Sequence, residues 1–496
     1  MVTTVTRGRV GWVLVGALLL LIGVRAPLSG GFWLDECLSV WVGSGSVDQV
    51  IARAGEYQGQ SPLYFLLISP LVHGGVGELG IRTLSLFGFL LSLVFLARIA
   101  RRWGDGECVL AAVLVFATLD PVLVAAISAR PYALALAAAL GSVLALLRWC
   151  EAGRVSSLII AGLTAVLAFY LHYLFAGILL VHLAVLRACG KLNLRLLIGG
   201  GIALALLCFP GFQQLHHLAG RFEILSFAPT PGPGALGSAL VPPYLGVILI
   251  LALVLARLVD PIRLAARPNP RMVGVVLIWL LGGPLIFFGH AHLTGDSLFL
   301  PRLLLWAAPG TALAVALLIG SLEPPRVRVV VITTVLLFSF VRESGRSWQV
   351  EGWREAFASV QARPTGALLV YSGLVELEDP AWAGDPARRE YLLAPVGRYL
   401  PHPPAPTLPL PAGVERVEHR EWLEREVVPV LEGAPEITLI SLRKRLGAAS
   451  GGESVHQILL RYLAGYGFTV GSEETFGLVR VVQLRRTLGA IPLPPP

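Results

Sequence analysis

Charge is scarce in this chain: Asp, Glu, Lys and Arg make up 14% of its 496 residues, while 55% are hydrophobic. Soluble globular domains carry about a quarter of their residues as charges, so a soluble fold is excluded for most of the length. Several apolar runs reach the roughly 18–20 residues needed to cross a hydrocarbon core. The chain reads as a polytopic membrane protein. Cysteine is sparse as well. Cys37, Cys108, Cys150, Cys189 and Cys208 form no C-x-x-C pair and no His/Cys cluster, so nothing suggests a zinc site or a disulfide framework. No small-residue cleavage site follows the first apolar run, so residues 10–28 read as a retained span rather than a removed signal peptide.

Acidic residues are scarcest in the first two thirds. Of the 31 in the chain, 18 lie after residue 340, together with 17 of the 39 Lys and Arg. The net charge of +8 therefore arises in the membrane part. Such an excess reports topology, not nucleic acid binding. With Arg7 and Arg9 placed in the cytoplasm, the first span ends outside at Ser29 to Phe32. Residues 37–58 read as short interfacial segments, with Trp33 and Trp41 suited to that level. Residues 62–73 are too short to cross, and 79–97 then returns the chain to the inner side. Further crossings are expected at 108–127, 131–149, 157–171, 173–188, 196–212, 236–256, 273–290, 302–319 and 326–341. This arrangement puts 16 basic residues inside and only six (Arg25, Arg53, Arg82, Arg130, Arg221 and Arg302) outside. The bias predicts about eleven transmembrane helices, a cytoplasmic N-terminus and an external C-terminus.

The tail changes character at about residue 342. Helices are predicted at 353–361, 421–431 and 454–463, and strands at 367–371, 436–442 and 478–484. The fold class is thus mainly α and polytopic, with a C-terminal extracytoplasmic α/β domain. The expected division is 1–341 for the membrane domain, including a first external loop at 29–78, and 342–496 for the soluble domain. A Pro-rich loop occupies 401–411, and no catalytic constellation stands out in the tail.

The unusual short motifs all fall on the expected outer side: Asp35-Glu36, Gln60 to Tyr64, Ser128 to Tyr132, His172-Tyr173 and Phe299 to Arg302. An acidic pair at a span end is ordinarily solvated. Here aromatic and apolar residues flank Asp35 and Glu36, and a partly desolvated carboxylate suits general-base work on a hydroxyl. Arg130 and Arg302 each sit at a span mouth. Either reads as a snorkelling side chain on its own, but a guanidinium there also offers two-point recognition of a phosphate. A lone His172 reads as an interface residue, and Glu78 with Arg82, four apart, as a helix ion pair. Asp120 is the one acid well inside an expected span. An intramembrane acid raises a functional hypothesis, and Leu119-Asp120-Pro121 also reads as a helix break capped by the Asp.

The motifs in order resemble the GT-C superfamily of membrane glycosyltransferases, in the branch of the protein O-mannosyltransferases, the lipid A aminoarabinose transferase and related lipopolysaccharide transferases. The resemblance rests on Trp33-Leu34-Asp35-Glu36, Ser61-Pro62-Leu63-Tyr64 with Glu78 and Arg82, Ala129-Arg130-Pro131-Tyr132-Ala133, His172-Tyr173, Pro301-Arg302 and Trp353-Arg354. It covers roughly residues 10–360. It implies an inverting transferase that takes sugar from a polyprenyl-phosphate donor and passes it to a hydroxyl of a lipid, glycan or protein acceptor at the outer face of the plasma membrane. Asp35, with Glu36 beside it, then matches the catalytic base. Arg302 and Arg130 match donor-phosphate binders, and Tyr64, Tyr132, His172, Tyr173 and Arg82 are candidate substrate contacts. Three positions depart from the common pattern. Ser128 replaces an acid found in many relatives, Ser61 replaces a proline, and Leu303 a tyrosine. A divalent metal is left open, since only Asp35 and Glu36 offer obvious oxygen ligands and hard cations usually want more. A nucleotide-sugar donor fits poorly, because no phosphate-cradling Gly-rich loop is present. The alternative from another class is a transporter or flippase for a lipid-linked glycan, for which Asp120 is the candidate residue.

Overall fold

The computed structural model describes residues 28–219, 228–264, 269–344, 351–363, 366–412, 414, 416–443 and 454–487. The span expected at 10–28 (apart from Leu28), the arginines at 7, 9, 25 and 221 and the Pro-rich end lie outside these. The chain divides into two compact units. The first holds residues 54–67 and 79–347 besides the N-terminal stretch; the second holds 29–53, 68–78 and 348–496.

The first unit is helical. Its apolar sequence has no polar backbone partner to spare in hydrocarbon, and a helix satisfies every N–H and C=O within one segment. Among the described residues, four helices are long and apolar enough to cross a membrane: Glu78–Ala100, Tyr132–Ala152, Leu194–Leu215 and Pro270–Thr294. Two bent pairs raise the number to six if each is one span. Gly106–Thr118 meets Asp120–Ile127 at 67°, and Pro233–Leu240 meets Pro243–Val259 at 58°. The difference from eleven comes largely from length. Val155–Leu171, Tyr173–Ala188 and Leu305–Gly320 are apolar but have fewer than 18 residues. Leu63–His73 is shorter again and carries Pro70 inside it.

Tyr132–Ala152 is buried from Tyr132 to Leu147 at every position but Leu134 and Gly141. Its alanines allow neighbours to approach closely, which is how helices pack where no hydrophobic driving force separates protein from lipid. At Gly88 the helix Glu78–Ala100 comes so near that an added Cβ would lie 2.7 Å from the Ala133 carbonyl carbon. Ser85 Oγ, one turn earlier, donates to the Ser128 and Arg130 carbonyls at 2.6 and 3.2 Å. These contacts fix the segment Ser128 to Tyr132 against Glu78–Ala100.

In the second unit, five strands form one sheet: β1 Leu368–Tyr371, β2 Thr407–Pro409, β3 Glu436–Leu442, β4 Phe468–Phe476 and β5 Val479–Arg486, in the order β2-β1-β3-β5-β4. β1 pairs in parallel with β2 and β3, while β5 runs antiparallel to β3 and β4. The edges are modest: β2 ends on Pro409, and β4 is mostly exposed, with a bulge between Val470 and Ser472. The helix Trp353–Gln361 lays Trp353, Ala356, Phe357 and Val360 on one stripe into a core shared with Leu368, Val370, Ile440 and Val481.

The early segment belongs to this same unit. The helix Leu34–Gly43 is buried on most of its surface and packs on Ala394–Tyr399. Trp41, expected at the interface, meets Tyr391 edge-on at 5.5 Å, with the Arg53 guanidinium 4.2 Å over its ring.

Candidate active site

The second unit carries Asp35 and Glu36 in the first turn of Leu34–Gly43. A helix start leaves several backbone N–H groups without intrahelical partners, and here side chains take three in succession. Phe32 N donates to Tyr399 Oη at 2.5 Å, Trp33 N to Glu36 Oε2 at 3.1 Å, and Leu34 N to Glu351 Oε2 at 2.7 Å. The Tyr399 hydroxyl in turn donates to Glu78 Oε1 at 3.2 Å. Phe32 is fully buried, with the Arg398 guanidinium 5.2 Å over its ring. Glu36 is buried and works on its own helix start, whereas Asp35 is half-buried. Both carboxylates sit where the helix dipole favours negative charge.

Glu351 was not among the residues the sequence singled out. Its Oε2 also accepts from Trp353 Nε1 at 2.7 Å. Burial carries its pKa up to about 7; the two N–H donors oppose this, and Asp35 and Glu36 add to it. Three carboxylates thus share one neighbourhood in this unit. Among the described residues, however, no group of three or more His, Cys, Asp or Glu is arranged to hold a metal ion.

The first unit brings Arg130, Tyr132, His172 and Arg302 together. Arg130 is buried; its Nη1 donates to Gln58 Oε1 at 3.2 Å, and its guanidinium lies 5.7 Å from the Tyr132 ring. That ring stands 5.0 Å from His172, which meets Phe175 at 5.9 Å. His172 occupies the break between Val155–Leu171 and the turn Tyr173–Gly177. Burial first, then the positive charges of Arg130 and Arg302, lower its pKa to about 3. The imidazole is therefore neutral at physiological pH, and its Nδ1 has no hydrogen-bond partner among the described residues. Arg302 is half-buried in the turn before Leu305–Ala307. Gln58 was missed: an amide in a polar stretch gives no local signal of the arginine it will meet 72 residues on.

Three other candidates have different surroundings. Arg82 is buried and donates to the Leu28 carbonyl at 2.9 Å. The Tyr173 hydroxyl donates to Gln214 Oε1, and its ring packs with Phe169 and Cys208. Tyr64 is fully buried with its ring 5.8 Å from Phe65.

No family model matches the chain, and no curated protein does. Solved structures that it is similar to include two of ArnT, an aminoarabinose transferase. The crystal structure of ArnT from Cupriavidus metallidurans in the apo state is 12% identical and superposes with a TM-score of 0.45, over 96% of this chain and 98% of that one. The structure of the same protein bound to undecaprenyl phosphate gives 12% identity and a TM-score of 0.43, over 96% and 97%.

Asp120 opens the second arm of the bent pair in the first unit. Arg342 Nη2 lies 2.7 Å from both of its carboxylate oxygens, and the same guanidinium stacks 3.7 Å over Tyr244. Tyr244 Oη accepts from Asp120 N at 3.3 Å and donates to the Thr118 carbonyl at 3.0 Å. The backbone groups freed at the break are thereby occupied, and the acid on which a transport role would lean is held in a two-point ion pair.

Proposed function

We propose that this chain is a membrane glycosyltransferase that moves a sugar from a polyprenyl-phosphate donor to a hydroxyl acceptor at the outer face of the plasma membrane. The observation that carries the reading is the pair Arg130 and Arg302 beside the buried His172. Two guanidinium charges in a largely buried, aromatic setting suit a phosphate group, which each can bind at two points.

Asp35 takes the proton from the acceptor hydroxyl. The freed oxygen attacks the anomeric carbon, and the bond from that carbon to the phosphate oxygen breaks with inversion. The electron pair leaves on the polyprenyl phosphate, where Arg302 and Arg130 hold the developing charge. Preorganised charges of this kind commonly supply the largest single contribution to catalysis. The multi-pass topology with a cytoplasmic N-terminus and external C-terminal unit, read from the basic loops, belongs to the same proposal. So do about eleven spans and the use of Tyr132 as a substrate contact.

The test is transfer from radiolabelled polyprenyl-phosphate sugars in nanodiscs, with a crude envelope extract as acceptor. Label reaches an extract component with the native protein and not with Asp35→Asn. Full transfer by folded Asp35→Asn would remove the base from the mechanism.

A further inference from the structure

We propose that Glu351 is the positioning residue for Asp35: its carboxylate fixes the first turn of Leu34–Gly43 by accepting the Leu34 N–H while anchored through the Trp353 indole. This rests on the reading of Asp35 as the base, and it assigns a defined role to the unit formed by the tail.

The anchoring is specific. Glu351 bridges to Gly477 in the turn of the β4–β5 hairpin. Gly352 N donates to the Phe476 carbonyl at 3.2 Å, and a Cβ on Gly352 would lie 2.7 Å from that same oxygen. Only glycine allows the approach. Trp353 is fully buried in the sheet core and presents its Nε1 to Glu351 Oε2 at 2.7 Å. One carboxylate oxygen therefore ties a core tryptophan to a backbone N–H one residue before Asp35, on a residue whose backbone is bridged to the hairpin. Helix-start donors left without such a partner fray. A displaced reacting group of about 1 Å costs on the order of a hundredfold in rate.

The charged surroundings tie this geometry to pH. Asp35 and Glu36 act on Glu351 from the helix; on the Phe32 side of that helix start stand Arg398 and Tyr399, and Tyr399 and Arg354 both meet Glu78. The hairpin contributes the uncharged Gly477. Glu351 ionises at about 7, the first influence being burial. Its ionised form is the stronger acceptor for the two N–H groups.

The experiment compares native protein, Glu351→Ala and Glu351→Gln, all full length in nanodiscs. Transfer from mannosyl and pentosyl polyprenyl phosphates is measured between pH 6 and 8, and hydrogen exchange is followed on the peptide containing Leu34. Glu351→Ala is expected to lower kcat on the order of ten- to a hundredfold, with the donor KM little changed. Glu351→Gln keeps an amide oxygen for Leu34 N, recovers most of kcat, and loses the inflection near neutrality that the native protein shows. Exchange at Leu34 rises in Glu351→Ala and not in Glu351→Gln. Native kcat in Glu351→Ala, an unchanged inflection in Glu351→Gln, or exchange raised throughout the tail would each overturn the proposal. If the native protein transfers no label from any donor, the transfer reading itself falls. Exchange then decides alone: unaltered uptake at Leu34 in Glu351→Ala means that Glu351 does not hold the helix start.

Discussion

Glu36 Oε2 accepts from Trp33 N at 3.1 Å and is fully buried, whereas Asp35, one residue earlier, keeps part of its surface. The two acids are equivalent as letters, and nothing in Trp-Leu-Asp-Glu separates them. Helix geometry does: the residue three after the N-cap is the one whose side chain reaches back to the cap N–H. Glu36→Gln therefore costs on the order of 1 kcal/mol of stability, measured as a lower unfolding temperature, with transfer falling only in part. Asp35→Asn leaves unfolding unchanged and abolishes transfer. On the cationic side, Arg302→Ala lowers kcat on the order of a hundredfold or more. Arg302→Lys recovers little of it, because an ammonium is a point charge and cannot grip two phosphate oxygens in one plane. Equal activity of the Lys variant would make Arg302 a mere source of positive potential. Glu351 and Gln58 escaped the sequence for one reason. Leu34 and Glu351 lie 317 residues apart, and Gln58 and Arg130 72 apart. Local pattern carries no trace of either meeting.

At the level of single elements, helix breaks were readable and edge strands were not. Leu119-Asp120-Pro121 signals a break, and the helices on either side meet at 67°. Its closing partner, Arg342, is 222 residues away and invisible to local reading. Both side chains are partly exposed, so the pair stabilises less than a fully buried one. Arg342→Met costs about 1–2 kcal/mol. The double variant with Asp120→Asn costs less than the two singly changed proteins added together, since neither is then left with a stranded partner. Transfer by folded Asp120→Asn stays near native, and loss of lipid or sugar translocation in that variant would revive the transport reading. In the tail, β3 and β5 carry apolar runs that mark them, while β4 (Phe-Thr-Val-Gly-Ser-Glu-Glu-Thr-Phe) is exposed along most of its length. An edge strand with little to bury shows no alternation. β3 has a further consequence. Ser441 Oγ lies 2.6 Å from Nδ1 of the buried His456, whose pKa is lowered by burial first and then by Arg480. Glu473, 3.6 Å from Nε2, opposes this in part, and on balance the folded chain takes up the proton less readily than the unfolded one, which does so below about pH 6.5. Stability is thus unaffected by this group above that pH and falls as pH drops below it. Unfolding temperatures between pH 7.5 and 5 should show the loss, and His456→Gln should reduce the slope.

For the molecule as a whole, the share of acidic residues sets the sequence after about residue 340 apart from what precedes it. It gave no sign that residues 29–53 and 68–78 fold with the tail. Tyr399 shows how the three stretches are joined: its hydroxyl accepts from Phe32 N and donates to Glu78 Oε1. Tyr399→Phe removes both bonds at once while keeping the ring. A buried N–H left without its acceptor costs on the order of 1–3 kcal/mol. That loss falls on the residues leading into the Asp35 helix, not on the sheet core, where Trp353 and Phe357 keep their contacts. Hydrogen exchange should therefore rise in peptides spanning 29–36 and 74–78 and stay native in β1 and β3. If the loop's geometry serves the reaction, kcat falls in the same variant while the donor KM holds. A Tyr399→Phe protein with faster exchange in the loop and native kcat would mean that Asp35 needs no fixed approach, and the tail's part in transfer would have to lie elsewhere.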